Sequence, residues 1–224
     1  MTVIWAWERA EDLTWLPTDG SLGVAFYVQS IQLASDGFVV KPRRNPLRLP
    51  EGVKRIAVTR IESARGNESH AVPDSRIASL AEAIAKTAKE KDVSGIQIDF
   101  DAAASERGFY RSLVAKVREL IPGEMLLSIT ALASWCEGDR WLQDMNVDEA
   151  VPMLFDMGRE GESIFARIRG GKAFKEPKCS NSFGLNVNRL LPKTLTKSRR
   201  VYYFNNSAWR KHDLESILKE ETGK

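Results

Sequence analysis

The segment GIQIDFDAAAS, residues 95–105, sets two aspartates one residue apart in an otherwise apolar run. Ionised carboxylates in a core are costly unless partnered or protonated, so Asp99 and Asp101 need a structural reason to stand beside Ile96, Ile98 and Phe100. Strand alternation supplies one: it sends Ile96, Ile98 and Phe100 to one face and Gln97, Asp99 and Asp101 to the other. Such a strand, buried on both faces, belongs in a parallel sheet covered by helices.

The surrounding chain repeats that alternation of elements. VIWAW (3–7) and LGVAFYVQSIQLAS (22–35) read as strands, the second folding back through Asp36-Gly37 into FVVK (38–41) as a hairpin. RIAVTRIES (55–63) is the third strand. From Asp74, a capping residue type, to Asp92, the residues Ile77, Leu80, Ala81, Ile84, Ala85 and Ala88 keep helical spacing. SGIQIDF (94–100) is then the fourth strand, and Ser105 to Leu120 is a second helix carrying Phe109, Leu113 and Val117. EMLLSITALAS (124–134), VDEAVPMLF (147–155), SFGLNV (182–187) and RVYYFN (200–205) bring the strands to eight. Residues 158–181, interrupted by Gly170-Gly171 and Pro177, read as a loop-rich crossover.

Eight strands with intervening helical segments predict a compact, irregular (β/α)8 TIM-like barrel in an α/β chain, with residues 1–224 forming one domain. About 250 residues is typical of such barrels, so some helices must be short or missing. A doubly wound open sheet is the competing architecture.

Lys and Arg number 33 against 30 acidic residues, a net charge of +3, which gives no reason to expect nucleic acid as a partner. The basic tracts KPRRNPLR (41–48) and KSRR (197–200) read as solvated loops. No apolar run reaches the ~18 residues of a membrane span, and MTVIWAWERAED lacks the tripartite order of an export signal. A periplasmic or secreted location is expected only of a processed mature form, and a cytoplasmic one otherwise. Cys136 and Cys179 are either one disulfide or two thiols, with a half-buried inert thiol the better reading of Cys136. His70 and His212 are isolated, so neither a zinc-type metal site nor a cofactor is expected.

In a barrel, Asp99 and Asp101 point inward, with Asp101 nearest the carboxyl-end mouth where barrel chemistry lies. Two strand residues separate them by about 6.6 Å, close enough to couple and hold one proton between them. Such a pair suits a general acid beside an ionised partner. The plainer reading makes Asp101 a helix cap and Asp99 an acceptor for buried donors. Arg60 and Glu62 alternate with Ile61 and are expected to share the inward face with Asp99. Trp5, Trp7, Tyr27, Trp135 and Trp209 fall near carboxyl ends of strands, where flat rings stack on sugar faces; Trp15 and Trp141 read as core. Glu8, Gln97, Asn205 and Asn206 complete the polar residues near those ends. Asp-x-Asp also fits a carboxylate pair holding Mg2+ or Mn2+ in a transferase.

The motif SGIQIDFD resembles the fourth-strand signature of family-18 glycoside hydrolases, Asp-Gly-hydrophobic-Asp-hydrophobic-Asp-aromatic-Glu. On that pattern Ser94 and Gln97 replace the first two aspartates, Asp99 matches the third, Phe100 the aromatic, and Asp101 stands at the acid position. MLFD, with Met153, Phe155 and Asp156, resembles that group's Met-x-Tyr-Asp two strands later. The resemblance implies a carbohydrate substrate or ligand, with Asp99, Asp101 and Asp156 as the catalytic carboxylates and Met153 and Phe155 beside the sugar. Aspartate for glutamate and Phe155 for tyrosine turn the expectation away from chitin, and a barrel that binds glycans without cutting them is the alternative. GIQIDFDA, SITALASWC and VDEAVPMLFDMG together also look like a family of bacterial barrel proteins of unassigned function.

Overall fold

The computed structural model describes residues 1–34, 37–63, 74–138, 140–155, 157 and 161–222. Its strands are β1 (Thr2–Ala6), β2 (Glu11–Asp12), β3 (Leu22–Ala34), β4 (Gly37–Pro42), β5 (Leu47–Arg48), β6 (Lys54–Ser63), β7 (Val93–Phe100), β8 (Leu126–Leu132), β9 (Glu149–Met153), β10 (Ser182–Asn186) and β11 (Arg200–Phe204). Its helices are α1 (Asp74–Ala85), α2 (Arg107–Leu120), α3 (Gly161–Arg169), α4 (Lys193–Thr196) and α5 (Lys211–Thr222).

Eight strands run parallel in the order β1-β11-β10-β9-β8-β7-β6-β3, and β1 also pairs with β3. That last pairing closes the sheet into a TIM-like barrel. β4 hangs antiparallel on β3 as the foreseen hairpin arm, and β2 with β5 forms a separate two-residue ladder. The turn residue Asp36 lies outside the described residues, as do His70 and the side chain of Asp74. The crossovers β1 to β3, β3 to β6 and β8 to β9 carry no α-helix among the described residues, which is how 224 residues suffice.

Alternation along each strand divides the core in two. Outward-facing Ile4, Val24, Ile61, Ile96, Ile98, Phe100, Leu127 and Ile129 pack beneath the helices. Inside the ring, Val3, Trp5, Ala25, Ile56, Val58, Val151, Tyr202 and Phe204 fill the barrel. The helices answer from their apolar stripes: Leu80, Ala81 and Ile84 of α1 and Tyr110, Leu113, Val114 and Val117 of α2 are buried. Helix spacing continues past Ala85 only as a 3-10 turn, Lys86–Lys89, where Thr87 donates to the Ile84 carbonyl at 2.7 Å. The interior of β3 has a register shift between Tyr27 and Gln29, an extra residue that turns the following side chains to the opposite face.

Three local expectations are corrected. Residues 158–181, read as loop-rich, contain α3, whose apolar Ile164, Phe165 and Ile168 lie on one buried face before Gly170-Gly171 ends it. The sixth barrel strand is shorter than 147–155, spanning only Glu149–Met153, and its register with β10 is the single pair Met153 and Gly184, next to Pro152, which has no N–H to offer. Cys136 is not a free thiol: it is joined to Cys179 in a disulfide with the two Cα atoms 5.9 Å apart. That bond ties the β8–β9 connection to the segment before β10.

Candidate functional site

The inward row of β7 climbs through the barrel from Gln97 to Asp99 and Asp101. Gln97, fully buried, donates to Ser128 Oγ at 3.0 Å in a polar layer below. That layer continues as Tyr202 donating to Glu149 at 2.6 Å and Arg200 pairing with the same carboxylate at 2.6 Å. One layer up, parallel pairing of β6 with β7 puts Arg60 opposite Asp99. Arg60 Nη1 donates to Asp99 Oδ2 at 2.6 Å, and Thr130 Oγ1 donates to Asp99 Oδ1 at 2.8 Å. Arg60 Nη2 stands 3.5 Å from Asp101 Oδ2, and its Nε donates to Glu62 at 3.4 Å.

These contacts separate the roles of the two aspartates. Asp99 is 1% exposed, and burial pushes its carboxyl above the usual carboxylate range, while Arg60 and the Thr130 hydroxyl pull the other way. Asp101, just beyond the end of β7, has a side chain 46% exposed. Arg60 bridges both carboxylates, so the two acids share one positive partner.

Above this pair opens a cleft of about 710 Å³. One wall carries Trp5, Trp7, Arg60, Asp99 and Asp101 from β1, β6 and β7. The other carries Leu132, Ala133, Ser134, Met153, Phe155, Met157 and Ile164 from the ends of β8 and β9 and from α3. Trp5 packs edge-on against Phe204 at 4.0 Å and tilts against Trp7 at 4.5 Å, and the Arg60 guanidinium lies 6.0 Å from the Trp7 ring centre. A second hollow of about 480 Å³ shares Arg60 and Asp101 and adds Glu62 and Ser63.

Of the residues singled out in the sequence, Trp5, Trp7, Arg60, Asp99, Asp101, Met153 and Phe155 meet in this cleft, and Glu62 lines the adjoining hollow. Others stand elsewhere. Trp135 is buried edge-on against Trp141 at 4.8 Å, beneath the outer shell. Trp209 is buried with its indole N–H donating to the Trp5 carbonyl at 2.9 Å. Asn205 is buried, with its amide donating to Asp213 at 3.2 Å. Glu8 collects the Arg44 and Asn45 backbone N–H groups at 3.0 and 2.9 Å; burial pushes its carboxyl up, but these donors hold it below the usual range. Tyr27 precedes the β3 register shift, and its carbonyl accepts from Arg43 at 3.2 Å. Asp156 lies outside the described residues.

Sequence reasoning missed Thr130, Leu132, Ala133, Ser134, Met157 and Ile164. The strand-end position of ITALAS carried a usable signal for Leu132 to Ser134, and inward parity within β8 one for Thr130. Ile164 had none, because its helix was not foreseen. Among the described residues no group of three or more His, Cys, Asp or Glu side chains converges as a metal site does. Nor is any described helix long and apolar enough to cross a membrane.

Fold and cleft together define a TIM-like barrel protein with an acidic and aromatic mouth at the carboxyl ends of its strands. Residues 51–157 match the family model described as Domain of unknown function (DUF3142). That segment runs from before β6 to just past β9, so it supplies Arg60, Asp99, Asp101, Thr130, Met153, Phe155 and Met157, whereas Trp5 and Trp7 lie outside it. No curated protein matches the chain.

Proposed function

We propose that the mouth of the barrel is a carbohydrate-directed cleft and that the protein cuts a glycan with Asp101 as general acid. The observation that carries this reading is the convergence of a half-exposed carboxylate, an arginine and the partly exposed Trp7 ring on one cleft, with buried Trp5 packed behind Trp7. Tryptophan faces suit the apolar faces of sugar rings, and a carboxyl group open to the cleft is positioned to protonate a leaving glycosidic oxygen. The resemblance of residues 94–101 to the fourth-strand motif of family-18 glycoside hydrolases supports the same assignment. Asp99, buried and ion-paired, orients Arg60, and Asp156 is the second carboxylate of the pair that glycoside hydrolysis uses.

A second reading, binding without cleavage, is favoured by one feature: Arg60 engages both Asp99 and Asp101. The same feature weighs against a divalent cation held by Asp-x-Asp, since the Arg60 guanidinium occupies the space between the two carboxylates. A screen of defined oligosaccharides, including amino sugars and uronic acids, scored separately for binding and for cleavage, tests the proposal. Cleavage that disappears in Asp101→Asn is the expected result. Binding of equal strength in both proteins with no cleavage in either assigns the non-catalytic reading, and no binding in either removes the carbohydrate proposal.

A further inference from the structure

The two walls of the cleft differ in chemistry, and the division follows the strand order. β1, β6 and β7 present rings and charges, whereas β8, β9 and α3 present Leu132, Met153, Phe155, Met157 and Ile164. Sugar hydroxyls need hydrogen-bond partners, and on this wall Ser134 is the one side chain that carries a hydroxyl, the other lining side chains being apolar. Leu132, 37% exposed, lies on this wall and offers its side chain to the cleft. Arg60 and Asp101 also line the neighbouring hollow, which is polar through Glu62 and Ser63, so the charged pair stands where an apolar and a polar space meet. The cleft, about 710 Å³ with both walls counted, lies within the ~300–1,000 Å³ of small-molecule sites.

We propose that the ligand is amphipathic: a sugar carrying a hydrocarbon group, with the sugar against Trp7, Arg60 and Asp101 and the hydrocarbon against Leu132, Met153, Met157 and Ile164. This rests on the carbohydrate reading of the cleft and names the substrate class within it. In that arrangement Asp101 faces the junction between the two parts, where the bond joining a sugar to an alkyl group lies. An acyl chain on the sugar and an alkyl aglycone present the same hydrocarbon to the wall.

The test is titration calorimetry with methyl, butyl, hexyl and octyl β-D-glucopyranosides and with N-acetyl-, N-butanoyl- and N-hexanoyl-D-glucosamine, all below micelle-forming concentrations. Linear alkane diols of matched chain length form the sugar-free arm. The expected result is affinity that rises with chain length in at least one sugar series, by up to about fourfold per fully buried methylene, and that is stronger than for the matched diol. Gain in the glucosides alone identifies an alkyl aglycone, and gain in the glucosamines alone identifies an acyl substituent. Leu132→Asp is expected to abolish the gain and Leu132→Ala to reduce it, with unchanged thermal unfolding because the position is half open to solvent. Affinity independent of chain length, alongside oligosaccharide binding, overturns this inference and leaves the carbohydrate reading standing. Equal affinity for glucosides and diols, rising with length, overturns the carbohydrate reading instead. No binding in any arm overturns both.

Discussion

Arg60 and Asp99 stand opposite each other on neighbouring parallel strands, with Nη1 2.6 Å from Oδ2, and the aspartate is 1% exposed. Removing one member of such a pair strands the other's charge away from water, which typically costs about 3–5 kcal/mol. Arg60→Ala is therefore expected to lower unfolding stability by roughly that amount. Asp99→Ala is expected to cost less, because Arg60 is 29% exposed and keeps Asp101 and Glu62 as partners, but to impair activity, because Arg60 and Thr130 lose their common acceptor. Urea unfolding of the two single variants and the double variant checks this. A double variant as unstable as the sum of the singles denies the coupling.

Asp101→Asn is expected to separate chemistry from folding. The side chain is 46% exposed and its contact with Arg60 is 3.5 Å, so the exchange leaves the unfolding midpoint nearly unchanged. Loss of a general acid lowers turnover by about 10²–10⁴-fold. Initial rates on any substrate found by the oligosaccharide screen give the readout, and unchanged turnover removes Asp101 from the acid role.

Period-two alternation in IQIDF was enough to foresee both faces of β7, since every second residue from Ile96 is apolar and the rest are polar. Near-continuous apolar runs marked the parallel ring for the same reason: strands closed inside helices have no solvent face. What the pattern could not carry was information that arises only from closure. Trp135 and Trp209 sit after strand ends just as Trp7 does, but a 3-10 turn and the Glu11 carboxylate draw them under cover. Arg60 and Asp99 are 39 residues apart, and only the β6–β7 register makes the guanidinium a bridge. Two cysteines 43 residues apart say nothing of pairing until the fold brings their Cα atoms within 5.9 Å.

Glu11 makes stability depend on pH. Burial raises its carboxyl above the usual 4.5, although the Trp209 backbone N–H, bonded at 3.1 Å, opposes this. A carboxyl raised on folding binds its proton more tightly in the native state, so its stabilising share is complete below the unfolded value. It is lost as pH climbs through the folded one. Glu11→Gln keeps an acceptor for Trp209 and cannot ionise. Its stability relative to the parent protein is expected to improve steadily as pH rises from 4 to 7, measured by urea midpoints at each pH. A constant offset across that range assigns the ionisation of Glu11 no part.

The disulfide bears on the cleft through the chain it anchors. Cys136 ends the 3-10 turn Ala133–Cys136, whose Ala133 and Ser134 line the apolar wall, and its carbonyl accepts from Glu176 N–H at 3.1 Å beside Cys179. The described residues of this crossover hold no α-helix, and the bond and the packing of Trp135 on Trp141 at 4.8 Å help to hold it in place. A cross-link spanning 43 residues restricts the unfolded chain enough to contribute about 2–4 kcal/mol. The Cys136→Ser, Cys179→Ser double variant is expected to lose that much in urea unfolding. It is also expected to bind cleft ligands several-fold more weakly, because the wall from Leu132 to Ser134 is no longer held against β9. The two effects are separable: restoring stability with a non-reducing osmolyte recovers the fold, whereas the weakened affinity persists if the anchored turn shapes the cleft. Affinity that returns with stability confines the bond to a folding role. Equal stability of the variant and the parent protein denies the cross-link itself.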